Sequence, residues 1–127
     1  MRTPAVLSIL LFTAVALRAQ AVAKTEREKL GAEKFNQAIE LYSAGQYEES
    51  LPLLRAADSL IGGTELVDRA KLRFALGRAC QETGKPEAAL GYFEWVAAED
   101  STYPLIFYQA AESAIAAGKP SRARELY

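Results

Sequence analysis

Leu76-Gly77-Arg78-Ala79-Cys80-Gln81-Glu82-Thr83-Gly84-Lys85-Pro86-Glu87-Ala88-Ala89-Leu90-Gly91-Tyr92-Phe93 is the stretch that decides the fold. Its skeleton is Leu76-Gly77-x-x-Cys80 followed by Ala89-x-x-x-Phe93, and it recurs 34 residues later as Ala110-Ala111-x-x-Ala114 followed by Ala123-x-x-x-Tyr127. Both copies carry Gly-Lys-Pro between their halves, at 84–86 and at 118–120. Self-similarity at such a period marks an array of helical hairpins, each unable to bury its apolar face alone.

Working outward, Gly45 is the third member of the series, 39 residues before Gly84. The extra five residues fall in the turn-rich stretch Ser59-Leu60-Ile61-Gly62-Gly63-Thr64. Each unit then reads as helix, tight turn, helix, with helices expected at 25–44, 47–60, 65–83, 86–98, 104–117 and from 120 onward. Thr25-x-x-Glu28 is a capping-box pattern for the first. Pro86, Pro104 and Pro120 suit a first helical turn, where a missing N–H costs nothing. The three glycines suit helix C-termini, where a left-handed residue is needed. Pro52 falls about a turn into a helix and predicts a late start or a bend.

The chain resembles the tetratricopeptide repeat family over residues 30–127, in units of about 31–63, 70–102 and 104–127. The family pattern is best met by Arg73, Leu76-Gly77, Cys80, Ala89 and Phe93, and less closely by Lys34, Gln37-Ala38, Leu41, Ser50 and Leu54. The resemblance implies an all-α fold, a right-handed superhelical array of antiparallel helical hairpins (an α-solenoid) of about two and a half repeats. It also implies a module that binds another protein or a peptide rather than an enzyme. The third unit stops within its second helix, which predicts poor cover over Phe107, Ala114 and Leu126. Self-association through that last repeat, as in a truncated or N-terminal piece of a longer scaffold, is the alternative expectation.

The N-terminus is a separate matter. Arg2 supplies a charge, Val6 to Leu17 carries none, and Arg18 ends the run at about a dozen residues, whereas a membrane span needs ~20. Ala19-Gln20-Ala21 and Ala21-Val22-Ala23 are small-x-small sites, so residues 1–23 read as a cleavable signal peptide cut after Ala21 or Ala23. The other reading is an uncleaved anchor. No cysteine lies near the junction to accept a lipid. An exported bacterial protein, periplasmic or secreted and free of the membrane after cleavage, is the expectation.

Composition narrows the function classes. Of 127 residues half are hydrophobic and 24% charged, as in one small globular domain. After residue 23 thirteen basic residues face sixteen acidic ones, a net charge of −3, which gives no footprint for nucleic acid or an anionic membrane surface. There is no His and one Cys, so an internal disulfide is excluded and the usual soft metal ligands are missing; neither metal nor cofactor is expected. Cys80 is read as a buried small hydrophobe. Glu48-Glu49 and Glu99-Asp100 are adjacent in sequence, so on a helix they point about 100° apart and do not converge on one substrate atom.

Helix wheels separate two faces. Leu72, Leu76, Ala79 and Cys80 form one stripe, while Phe74 lies roughly 160° from Leu76 with Arg78 and Gln81 beside it. Phe35, Ile39 and Tyr42 repeat that second face in the first unit, and Leu105, Tyr108, Glu112 and Ile115 in the third. By resemblance these positions line a concave groove, so Phe35, Ile39, Tyr42, Phe74, Arg78, Gln81, Tyr108, Glu112 and Ile115 are the candidate binding residues. Phe35 and Phe74 have a second reading as filler between adjacent helices. Asn36, Lys71 and Arg78 resemble, in residue type only, the carboxylate-holding clamp of some family members. Trp95 is expected on the outer side of a second helix, either covering a neighbour or marking a further contact.

Overall fold

Three turns share one backbone path in the structure, a computed structural model that describes residues 4–62 and 66–126. Gly45, Gly84 and Gly118 sit at φ of +78°, +75° and +74°. At each turn the glycine N–H donates three residues back, to Tyr42, Gln81 or Ile115. The following N–H donates five residues back, to Leu41, Cys80 or Ala114, at 2.8–2.9 Å. This paired pattern closes a helix by satisfying its last free carbonyls, and only glycine enters the required left-handed region without a Cβ penalty. The next helix opens directly, with Ser50, Ala89 and Ala123 donating four residues back. The sequence period is thus a period of hydrogen bonds.

Among the described residues there are six helices and no strand: α1 Pro4–Ser43, α2 Tyr47–Leu60, α3 Arg69–Glu82, α4 Pro86–Glu99, α5 Ile106–Ala116 and α6 Pro120–Leu126. Each packs on the next in the chain, and α1 also touches α3. The core repeats with the sequence. Ala38, Gly77 and Ala111 are buried at one register position, and Ser50, Ala89 and Ala123 at another. Leu54 and Phe93 are fully buried at a third, whose last member, Tyr127, lies outside the described residues, as do Gly63 and Thr64 of the turn-rich stretch. A methyl on Gly77 would meet the Phe93 ring at 2.5 Å, so the missing side chain is what admits the ring.

Several boundaries differ from expectation. Helix α1 does not begin at residue 25; it is continuous from Pro4, because no Gly or Pro interrupts residues 5–30 and the intervening Ala, Leu, Lys and Glu are good helix formers. Thr25 therefore makes no capping box: its hydroxyl donates back to the Ala21 carbonyl at 3.0 Å, inside the helix. Helix α3 begins at Arg69 rather than 65 because Asp68 caps it, accepting from the N–H groups of Ala70 (2.9 Å) and Lys71 (3.3 Å). Helix α5 starts two residues after Pro104. The Asp100 carboxylate holds Thr102 through both its N–H and its hydroxyl, and Leu105 follows at φ +61° before helical geometry resumes. Pro52 delays nothing, since the glycine turn fixes the start of α2 at Tyr47. Ala114 is fully buried rather than poorly covered, Leu126 is half-buried, and Phe107 is exposed.

The apolar N-terminal part of α1 is exposed to solvent. Its most apolar 18-residue stretch has a mean hydropathy of 1.9, so by length and composition the helix can cross a membrane, beyond what the dozen residues before Arg18 suggest. A signal sequence has the same character, and the helix is compatible with one. Close packing begins at Gly31, where a Cβ would meet Ile61 Cγ2 at 2.8 Å.

Candidate functional site

Gln81 is the residue on which the site is built. Its amide donates across to α5, to the Ser113 hydroxyl at 2.8 Å and the Gln109 carbonyl at 3.2 Å, while its oxygen accepts from Arg78 Nη1 at 2.7 Å. Ser113 is buried, and this bridge links α3 to α5, each of which packs against α4. Above it opens a cleft of about 420 Å³. Arg78, Gln81 and Glu82 line it from α3, Gly84 and Pro86 from the turn, and Tyr108, Gln109, Glu112, Ser113 and Ala116 from α5.

Four of the nine candidates, Arg78, Gln81, Tyr108 and Glu112, therefore meet at one cleft. Tyr42 is half-buried and is not among the lining residues. Burial pushes its hydroxyl pKa above the ordinary range, and Arg78 partly offsets that. Tyr42 also meets Tyr47 edge to face, with centroids 5.3 Å apart. The remaining four lie elsewhere. Phe35 is buried in the core and Ile39 packs against it. Phe74 is half-buried between Phe93 and Tyr103, at centroid distances of 5.5 and 5.0 Å, which is the filler reading. Ile115 is 55% exposed on α5 and does not line the cleft. Asn36 and Lys71 are exposed and also absent from the cleft wall, so the clamp set is not assembled there.

The sequence wheels missed Glu82, Gln109 and Ser113 because they flank the candidate stripe. One signal was present: Ser113 is a lone hydroxyl in the run Ala110-Ala111-Glu112-Ser113-Ala114-Ile115, whose three alanines are all buried.

Electrostatics elsewhere serve packing. Asp58 of α2 meets Arg73 at 3.2 Å and Arg69 at 3.9 Å on α3, and the Arg73 guanidinium lies 4.1 Å from the Trp95 ring centroid on α4. Trp95 thus covers a neighbouring helix. Glu94 and Glu87 of α4 pair with Arg122 (2.7 Å) and Lys119 (3.7 Å) around α6. Cys80 is fully buried, and burial raises its thiol above the ordinary value, with Arg55 acting against that shift. Among the described residues no group of His, Cys, Asp and Glu gathers in a metal-holding arrangement. Neither a family model nor a curated protein matches the sequence.

Proposed function

We propose that the chain is a non-catalytic protein–protein interaction module in the bacterial envelope. In this reading the helical hairpins stack as a right-handed superhelical array of the tetratricopeptide type, and the α3–α5 cleft receives a peptide or a partner's helix. The observation that carries it is the cleft itself, which opens between equivalent helices of consecutive units. Those helices are tied together by a satisfied Gln81–Ser113 bridge, and the exposed ring of Tyr108 stands at the mouth. A rigid concave surface with one accessible aromatic and a few polar groups has the character of a recognition site. Export rests on the apolar N-terminal helix and the Ala-x-Ala sites beside it.

Affinity capture with the full chain, compared with an Arg78→Glu, Tyr108→Ala double variant, tests the reading. Partners should be recovered by the first and lost by the second. The same partners on both baits would rule the cleft out.

A further inference from the structure

The polarity of the cleft follows from what Arg78, the one cation lining it among the described residues, is already doing. Arg78 gives Nη1 to Gln81 and places Nη2 3.3 Å from the Glu82 carboxylate. Its charge is matched by Glu82. Glu112 is left, exposed, without an ion pair or hydrogen bond among the described residues. The lining groups thus comprise one cation and two carboxylates, a net charge of −1. Lys85, on the turn beside the cleft, is not among the lining residues, and its ammonium lies against the Thr83 hydroxyl.

Geometry adds to charge. Tyr108 and Glu112 are four residues apart on α5, so an exposed ring and an unpaired carboxylate stand one above the other on one face. Ala116, a further turn along, and Pro86 across the cleft supply apolar walls. A ring beside a carboxylate is a holder for an ammonium or guanidinium group, through cation–π attraction and an ion pair together. An acidic ligand would have to displace Glu82 from Arg78 or settle against Glu112, and both cost free energy.

We propose that the α3–α5 cleft selects a cationic segment, an extended peptide placing a Lys or Arg side chain between Tyr108 and Glu112 with an apolar neighbour toward Ala116 and Pro86. The proposal rests on the reading of this cleft as a peptide site. A random-peptide display library selected on the full chain tests it. Binding is then measured for the selected peptides with Glu112→Gln, Glu112→Lys and Tyr108→Ala, each checked for native helicity by circular dichroism.

The expected result is enrichment of Lys or Arg beside aliphatic or aromatic residues. Binding should weaken with added salt, fall roughly tenfold in Glu112→Lys and less in Glu112→Gln, as for a rim charge reversed or removed. Selected peptides that are acidic, or neutral and indifferent to Glu112→Lys, yet lost in Tyr108→Ala would overturn the cationic specificity while leaving the cleft as a peptide site. No enrichment, or binding untouched by Tyr108→Ala, would overturn both.

Discussion

Gly77 has room for nothing larger, and Gly91 has room to spare. A methyl at Gly77 meets three atoms of the Phe93 ring within 2.9 Å, whereas at Gly91 nothing lies within 4 Å. Gly77→Ala should destabilise by about 1–3 kcal/mol through overpacking, and Gly91→Ala should stabilise by roughly 0.5–1 kcal/mol through helix propensity; urea denaturation measures both. Part of this was legible. The register equivalents Ala38 and Leu54 exchange a slightly larger small residue for a slightly smaller large one. Gly31 was not legible, because its neighbour Ile61 comes from the far end of α2 and no local pattern announces it. At the same scale, Cys80, Tyr42, Tyr92 and Tyr103 all hold their protons more tightly in the folded chain than their ordinary 9.0 and 10.0, chiefly through burial. Above about pH 9 the unfolded chain releases protons that the folded chain keeps, so stability present at neutral pH is lost as pH rises, and Tm should fall there. Native Cys80 should also react with a thiol reagent far more slowly than in urea; equal rates would contradict its burial.

Helix ends were read well where the chain writes them in glycine and poorly where propensity competes with a cap. The three left-handed glycines and the first-turn prolines Pro86 and Pro120 stand where the sequence puts them. Thr25-x-x-Glu28 looks like a start, but with helix formers on both sides continuing α1 satisfies the same amides internally. Removing the preceding residues changes that balance. In a chain beginning at Lys24, Thr25→Ala should cost about 1 kcal/mol, the worth of a hydroxyl cap, while in the full chain it should cost next to nothing. Thermal melts of the four proteins give the comparison. The candidate face was half legible for a related reason: a wheel gives the angle of Phe35 and Phe74 about their helices, but the helix or turn that covers them is decided by tertiary packing.

For the whole molecule, the contrast between an exposed N-terminal arm and a packed body sets how the chain meets proteases. The first trypsin cuts should fall after Arg18 or Lys24, where a helix unsupported by packing opens easily, leaving a resistant body that mass spectrometry should find to begin at Ala19 or Thr25. Early cuts at Arg55 or Arg73 instead would show that the body is looser than its burial indicates. Helix α1 also fixes a heading. It has no glycine or proline from residue 5 to residue 30, so position along that stretch is equally direction around an axis. One residue added there turns the apolar end by about 100° relative to the cleft and moves it about 1.5 Å farther away; seven bring it back to within about 20°. For as long as α1 is whole, the compass bearing of Tyr108 and Glu112 from its apolar end is a matter of residue count. A cut after Ala21 or Ala23 would set the cleft free to face any way at all.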